Sequence, residues 1–339
     1  MPEMKYDRLY GTASNPSGSN GHPFSTGMPP TTPPKHKNAS SELAEFLSGV
    51  ANGQIFNVPF GPAFENLTNL TQALLPGSIM TICGEPGIGK TYLILQMLRY
   101  WHSIGMDAVV YFVEEDRRFH IHRLLAQLEQ RPDYIELKWL KANLNLWQDA
   151  MTRHSEVLDD LGRSIWSETA SRIDLVSMAG WIKSQASAGK RVLVVDPITA
   201  VSAGSNRWVA DEDFMIGVKK TLVAHGASLI LMTHGTKSNR QGPPSANDTA
   251  GGAAYNRFAS CNITLYKSKK PRKCRIKTKM GGEFTGNYGM FAAIHKTRNG
   301  RGSGLEVALS FGKELEFTEQ GVVMEDVAET DERNNDPFA

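Results

Sequence analysis

With 339 residues, of which 40% are hydrophobic and 21% charged, the chain has the composition of a globular protein of one large domain or two modest ones. Its apolar runs are shorter than the roughly 20 residues of a membrane span, and the N-terminus lacks the apolar core of a signal peptide. We therefore expect a cytosolic protein without membrane contact. The three cysteines show no C-x-x-C spacing, which argues against a zinc site or a disulfide framework.

The net charge of +2 hides a strong separation of basic and acidic residues. Eight of the thirteen residues in "KSKKPRKCRIKTK", 267–279, are Lys or Arg, whereas seven acids and one arginine lie from Glu319 onward. The basic segment predicts a contact with the phosphates of a nucleic acid. The alternative is that "RIKTK" forms an edge strand, whose lysines discourage aggregation between sheets.

Residues 1–39 are rich in Gly, Pro, Ser, Thr and Asn without apolar periodicity, and we expect them to be disordered. Residues 40–62 are expected to form a linker with a short amphipathic helix in "SSELAEFLSGVANG" and then a loop. The apolar stripe of this helix consists of Leu43, Phe46, Leu47 and Val50. Such a stripe needs a partner surface, either in its own domain or in a neighbouring subunit.

The acidic end of the chain, 319–339, is also expected to be disordered. It carries a single aromatic residue near its end, Phe338. This tail resembles the acidic tails by which phage replication proteins and single-strand-binding proteins dock onto partners. The resemblance implies that Phe338 fills an apolar pocket of a partner such as a polymerase or primase. The alternative is a tail that only improves solubility.

Between residues 63 and 318, short apolar runs alternate with segments of helical periodicity. Strands are predicted at 79–83, 108–113, 192–196, 228–233, 261–266, 275–279, 290–297 and 305–311. Helices are predicted near 90–103, 117–130, 147–154, 172–188 and 210–225. This alternation predicts an α/β domain with a mostly parallel sheet covered by helices on both faces. The last strands lack intervening helices and should be antiparallel additions at one edge.

The segment "GEPGIGKT", Gly84–Thr91, has the G-x-x-x-x-G-K-T spacing of a phosphate-binding loop between a strand and a helix. Its glycines let the backbone N–H groups point at phosphate oxygens, and Lys90 can reach the β- and γ-phosphates. The Thr91 hydroxyl is a candidate ligand for Mg²⁺. The predicted nucleotide contacts are Gly84, Glu85, Pro86, Gly87, Ile88, Gly89, Lys90, Thr91 and Tyr92.

Two further acidic positions complete the expected site. "RVLVVDP" places Asp196 at the end of a buried strand, where it can hold Mg²⁺ together with Thr91; the alternative is an Asp-Pro turn. "VVYFVEED" ends another strand with Glu114 and Glu115, one of which can orient an attacking water. Strand alternation alone does not choose between the two glutamates.

Two other segments offer groups that could sense or clamp a phosphate. "ASLILMTH" ends at His234, a candidate sensor or simply a hydrogen-bonding residue, and a long polar loop follows it. "HKTRNGRGSG" places Lys296, Arg298 and Arg301 around an Asn-Gly turn. On chemistry alone, this basic turn is equally a phosphate clamp or a solubilising turn.

The order of these motifs resembles the RecA-like motor domain of DnaB-type replicative helicases and of RepA-type hexameric helicases, from about Phe60 to Phe311. The resemblance selects Glu115 as the catalytic glutamate and His234 as the sensor. "KTRNGRGSG" is similar to the family's K-x-R-N-G hairpin, whose lysine and arginine contact the γ-phosphate in the adjacent subunit. Lys296 and Arg298 occupy those positions.

The resemblance implies a homo-hexamer that hydrolyses ATP with Mg²⁺, translocates 5′ to 3′ on single-stranded DNA and unwinds duplex DNA. It implies DNA contacts from two loops, 202–212 with Arg207 and 237–252 with Lys237 and Arg240. The family's N-terminal helical domain has no counterpart here, so we expect a minimal phage or plasmid form, acting in a bacterial or phage-infected host cytosol. The alternatives are a RecA- or RadA-like recombination or mediator ATPase and a helicase-loader ATPase.

Overall fold

The structure is a computed structural model, and it describes residues 38–167, 173–204, 206–235, 244–245 and 253–327. Of the N-terminal region expected to be disordered, residues 1–37 therefore lie outside the described residues, as do 328–339 at the other end. The chain divides into two compact units, one ending at Ser48 and one running from Gly49 to the C-terminus. Helix α1 (Ala39–Ala51) occupies the predicted linker segment.

The remaining elements belong to the second unit. Its helices are α2 (Glu65–Thr71), α3 (Lys90–Ser103), α4 (Arg117–Leu128), α5 (Leu137–Ala142), α6 (Leu144–Arg153), α7 (Ser155–Arg163), α8 (Leu175–Ser187), α9 (Arg207–His225) and α10 (Ala253–Phe258). Its strands are β1 (Ile79–Gly84), β2 (Ala108–Phe112), β3 (Ile165–Ser167), β4 (Val192–Asp196), β5 (Ser228–His234), β6 (Cys261–Lys277), β7 (Glu283–Thr297), β8 (Glu306–Phe311) and β9 (Phe317–Asp326).

Nine strands form one mixed sheet in the order β3-β2-β4-β5-β1-β6-β7-β8-β9. The strands from β3 to β6 are parallel, and β6 to β9 are antiparallel. Every residue of β1, β2 and β4 is buried because helices cover both faces of the parallel half. The predicted α/β class, with antiparallel strands added at one edge, is confirmed.

Each face of the parallel half has its own apolar core. On one face, α3, α4 and α7 pack through residues such as Trp101, Leu124 and Leu161. On the other, α8 and α9 pack through residues such as Met178 and Phe214. All five side chains are less than 6% exposed, so the two layers hold the sheet, and with it the strand ends, in fixed positions.

The antiparallel half differs from the sequence prediction. The predicted strands 261–266 and 275–279 are one long strand, β6, with a register shift between Lys267 and Arg272. Strand β9 was missed, and the expected disorder from Glu319 is wrong for residues 319–326. The apolar residues of β9 explain why it is ordered: Phe317 is fully buried, and Val322 pairs with both β6 and β8.

Strand β9 also pairs with the end of β6, which closes β6, β7, β8 and β9 into a small barrel. Its interior holds Cys274, Ile276, Phe291 and Ala308, all less than 3% exposed. The interpretation of "RIKTK" as an edge strand is therefore wrong for residues 275–277, which are paired with β7 on one side and β9 on the other.

Glu319 on β9 caps the N-terminus of α2. Its carboxylate accepts hydrogen bonds from the backbone N–H groups of Asn66 (2.8 Å) and Leu67 (2.7 Å). Burial raises the pKa of Glu319 to about 7, although the two N–H groups act in the opposite direction. Because the folded pKa lies above the ordinary value of 4.5, ionisation of Glu319 destabilises the fold as the pH rises from about 4.5 to 7.

We expect Glu319→Gln to remove this pH dependence, because glutamine keeps an acceptor oxygen but never ionises. Thermal midpoints of the variant and the wild type should agree near pH 4.5. As the pH rises to 7, the free energy of unfolding of the variant should increase relative to that of the wild type, by at most about 3 kcal/mol. Above pH 7 the difference between the two should be constant. A wild type that gains relative to the variant as the pH rises would show that the N–H groups dominate the pKa of Glu319.

Candidate nucleotide-binding site

The phosphate-binding loop lies where predicted, between the end of β1 and the start of α3. Two of its glycines adopt left-handed backbone conformations, Gly87 with φ of 77° and Gly89 with φ of 101°. A Cβ atom on Gly89 would also lie 2.8 Å from the ring of Phe317 on β9. The loop therefore requires glycine at 89 for both its conformation and its packing.

Lys90, the first residue of α3, is buried with 8% exposure. Its ammonium donates hydrogen bonds to the carbonyl oxygens of Gly84 (2.7 Å) and Glu85 (3.2 Å). Burial lowers the pKa of Lys90, and the nearby Asp196 carboxylate opposes that shift. The loop backbone thus holds the ammonium where it can reach a bound phosphate.

Asp196 at the end of β4 lies beside Thr91, and the Thr91 hydroxyl donates to its Oδ2 at 3.2 Å. Burial raises the pKa of Asp196 to about 6. One hydroxyl and one carboxylate suit Mg²⁺, which usually takes its remaining ligands from water and substrate phosphates. Among the described residues, no group of three or more His, Cys, Asp or Glu side chains could hold a metal, so an all-protein metal cage is not formed there.

Glu114 and Glu115 both line a cavity of about 270 Å³ that also contacts Lys90 and Asp196. Of the two glutamates, Glu114 acts on the charges of the site, where it raises the pKa of both Lys90 and Asp196. Glu114 also lies 3.3 Å from Nε2 of His234. The structure therefore brings both glutamates to the site and places Glu114 nearer to its charges, while the choice of Glu115 as base remains a prediction.

His234 lies at the end of β5, on the rim of the same cavity. Its Nε2 contacts Glu114, and its Nδ1 is buried without a hydrogen-bond partner among the described residues. The imidazole therefore lies at the cavity that contains Lys90 and Asp196. The sensor role of His234 stays a prediction.

Three residues that line the cavity were not predicted from the sequence. They are Phe119, His120 and Arg123 of α4, which form one wall together with the predicted contact Tyr92. The Arg123 guanidinium lies 3.4 Å above the ring of Phe119 and 5.6 Å from that of Tyr92. His120 stacks on Phe112, and burial lowers its pKa to about 3, so it is neutral at physiological pH. The i, i+4 spacing of Phe119 and Arg123 is the signal that could have revealed this wall.

The basic hairpin between β7 and β8 docks onto α2. The Thr297 hydroxyl donates to the carbonyl of Thr71 (2.6 Å), and the Gly302 N–H donates to that of Leu70 (2.9 Å). A Cβ atom on Gly300 would collide with the Leu70 carbonyl oxygen. The close approach to α2 therefore explains glycine at 300.

The candidate clamp residues of this hairpin contact α10. Lys296 Nζ donates to the carbonyls of Asn256 (2.8 Å) and Arg257 (3.2 Å), and Arg298 Nη2 donates to that of Arg257 (3.1 Å). Neither of the two is among the described residues that line the cavity around Lys90 of the same chain. Arg301, the third basic residue of the turn, is exposed.

The expected DNA loop 202–212 is shorter than predicted, because α9 begins at Arg207. Arg207 Nε lies 3.3 Å from the carboxylate of Asp211, which is 1% exposed and accepts a hydrogen bond from the Tyr255 hydroxyl on α10 (2.7 Å). Part of the Arg207 guanidinium is thus committed to the fold. Lys237 and Arg240 lie outside the described residues.

The site combines a glycine loop between a buried parallel strand and a helix, a lysine and a threonine in the first turn of that helix, and a carboxylate at the end of another strand. This combination defines a nucleotide-binding domain of the P-loop class. The chain belongs to the AAA domain family, which matches residues 60–240. No curated protein sequence matches the chain.

Solved structures match over most of the chain. One is described as an ATPase domain; it has a TM-score of 0.63 and 16% identity, and the match covers 84% of this chain and 99% of that one. Another, a DnaB-like replicative helicase described with its interactions with primase, has a TM-score of 0.61 and 15% identity, covering 84% of this chain and 67% of that one. The predicted RecA-like fold is confirmed by these matches. Within the described residues, no helix is both long and apolar enough to span a membrane.

Proposed function

We propose that the chain is an ATP-dependent replicative DNA helicase of the DnaB type. It would hydrolyse ATP to move on single-stranded DNA, with 5′-to-3′ polarity, and to unwind duplex DNA in the cytosol. The observation that carries the proposal is the pairing of a complete phosphate site with a basic hairpin that is held on α10. Lys90, Thr91 and Asp196 form the site, and Lys296 and Arg298 lie on the hairpin.

Each residue then has a distinct task. Lys90 contacts the β- and γ-phosphates of ATP, and Thr91 and Asp196 hold Mg²⁺, which neutralises charge on the phosphate oxygens. Glu115 orients the attacking water, and His234 responds to the state of the γ-phosphate. Lys296 and Arg298 act at the site of the adjacent subunit, where they stabilise charge in the transition state.

This division of tasks requires a ring, and we propose a homo-hexamer. Arg207, Lys237 and Arg240 would contact the phosphates of single-stranded DNA in its channel. The acidic tail, through Phe338, would dock onto a replication partner such as a polymerase or primase.

One alternative is a helicase-loader ATPase that acts on proteins, and a simple measurement distinguishes it from the proposed helicase. The proposal predicts that oligo(dT) raises the rate of ATP hydrolysis and that native mass spectrometry finds six copies of the chain with ATP and Mg²⁺. A rate of hydrolysis that is insensitive to DNA would favour the loader. The recombination alternative needs the strand-separation measurement described in the Discussion.

Helix α10 offers a test of how DNA binding and hydrolysis are coupled. It follows the proposed DNA loop 237–252, and its carbonyls hold Lys296 and Arg298. The Tyr255 hydroxyl ties it to the buried Asp211. We expect Tyr255→Phe to reduce the stimulation of hydrolysis by oligo(dT) several-fold and to leave the rate without DNA unchanged.

Tyr134→Phe is the matched control for Tyr255→Phe. Tyr134 is also buried, with 2% exposure, and its hydroxyl also donates to a carboxylate, that of Glu129. It should retain full stimulation. Equal losses of stimulation in the two variants would mean that the effect of Tyr255→Phe is one of general stability.

A further inference from the structure

The basic segment divides into paired and unpaired residues. Arg272 forms ion pairs with Glu306 and Asp326, and Arg275 forms one with Glu325. In contrast, five exposed lysines of β6 have no acidic partner among the described residues: Lys277 and four that precede Cys274. These four, which we call the lysine ridge, are Lys267, Lys269, Lys270 and Lys273.

The lysine ridge lies at the irregular part of β6. Lys267 pairs with Met290 and Arg272 with Tyr288, so the four residues between them on β6 face the single residue Gly289 on β7. Lys269 and Lys270 lie within this bulge. Four ammonium groups within seven residues repel one another and attract a polyanion.

Strand β9 leads the end of the chain toward this ridge. It runs antiparallel to β6, with Val322 beside Lys277 and Asp326 beside Cys274. The N–H of Val327 then donates to the carbonyl of Lys273, at 2.8 Å. Val327, the last residue that the structure describes, therefore lies beside Lys273 of the ridge. The chain runs from there in the direction of Lys270, Lys269 and Lys267.

The remaining segment, 328–339, has the charge and the length that are needed to contact the lysine ridge. It contains Glu329, Asp331, Glu332 and Asp336 and a single arginine. An extended chain advances about 3.3 Å per residue, so the first three of these acids come within roughly 7–17 Å of Val327. Lys273 and Lys267 pair with Asn287 and Met290, which are three residues apart on β7, so the ridge extends roughly 10 Å beyond Lys273.

We propose that residues 328–339 of the same chain cover the lysine ridge and compete there with the phosphates of single-stranded nucleic acid. The pairing of Glu325 and Asp326 with Arg275 and Arg272 is the described beginning of this contact. The ridge becomes accessible to phosphates when the acidic segment leaves it. The contact itself does not depend on the proposed helicase function, so the two can fail separately.

Zero-length carbodiimide cross-linking of the full chain at low salt tests the contact. Cross-links from Glu329, Asp331 or Glu332 to the ridge lysines are expected, and none to Lys138 or Lys183, which are equally exposed on α5 and α8. Mixing ¹⁴N- and ¹⁵N-labelled chains shows whether each link is within one chain. Links only between chains, only to other lysines, or absent altogether would overturn the proposal.

Binding of oligo(dT), measured by fluorescence anisotropy over a range of salt, tests the competition. A chain that stops at Val327 should bind more tightly than the full chain, and its log–log salt slope should be steeper by about three, because the four ridge lysines contribute roughly 0.7 each. In the background Lys267→Ala, Lys269→Ala, Lys270→Ala, Lys273→Ala, the same truncation should change neither value. The proposal would be overturned if truncation changed binding equally with the ridge lysines and with alanines in their place, which would show a general charge effect. It would also be overturned if truncation changed binding in neither case.

Discussion

Glu115→Gln is expected to bind ATP and Mg²⁺ as the wild type does and to lose about 10²–10⁴-fold in the rate of hydrolysis. Glutamine keeps the size and hydrogen-bonding geometry of the side chain but cannot accept a proton from the attacking water. Lys90→Ala should fail at an earlier step, because it removes the buried ammonium that meets the phosphates. Fluorescent-nucleotide binding and steady-state hydrolysis separate the two defects.

Glu114→Gln is the matched control for Glu115→Gln. Glu114 contacts His234 and acts electrostatically on Lys90 and Asp196, so its loss should change nucleotide affinity more than turnover. If Glu114→Gln is instead the inactive variant and Glu115→Gln turns over normally, the base is Glu114. The alignment with the helicase family is then displaced by one residue at this strand.

Arg298→Ala is expected to lower the DNA-stimulated rate of hydrolysis by about 10³-fold or more, the range found for arginines donated to phosphoryl-transfer sites. Nucleotide affinity of the isolated subunit should be unchanged, because Arg298 contacts α10 and is not among the residues found around Lys90 of its own chain. Isothermal titration of the nucleotide and a hydrolysis assay give the two values.

Mixed rings distinguish action between subunits from action within one. When Arg298→Ala subunits are mixed with Lys90→Ala subunits, some interfaces pair an intact phosphate loop with an intact arginine, so part of the activity should return. The control is a mixture of Lys90→Ala and Lys90→Ala, Arg298→Ala subunits, which contains no intact loop and should remain inactive. If mass measurements show stable mixed rings but the rate of hydrolysis does not recover, the assignment of Arg298 to the neighbouring site is contradicted.

The phosphate site was predictable because each of its parts has a local signal. The glycine spacing of 84–91 specifies the loop, and the apolar runs before Gly84 and Asp196 specify buried strands whose carboxyl ends meet at one edge of the sheet. The contact between Thr91 and Asp196 follows from that topology, although 105 residues separate them. Local pattern and parallel-sheet geometry together therefore determine the site.

The missed features depend on contacts between distant segments. Strand β9 mixes acidic with apolar residues, and it is ordered because Phe317 is buried, because β6 and β8 pair with it and because Glu319 caps α2. The attachment of Lys296 to the carbonyls of α10 likewise has no local signal, whereas Arg207 and Asp211 are spaced i, i+4 on α9 and their contact could have been predicted. The contacts that lack a local signal involve backbone carbonyls and buried acids, whose partners are set by the fold and not by residue spacing.

The central claim is that hydrolysis at this site drives strand separation, and displacement of a labelled strand from a forked duplex tests it most directly. The substrate is a fork with a free 5′ arm. With ATP, Mg²⁺ and a DNA trap, wild-type rings at a lower concentration than the fork should release the labelled strand. Glu115→Gln rings should bind the fork without releasing it. Active hydrolysis on the fork without strand release, or release only at saturating protein without hydrolysis, would contradict the claim and favour a RecA- or RadA-like recombination ATPase.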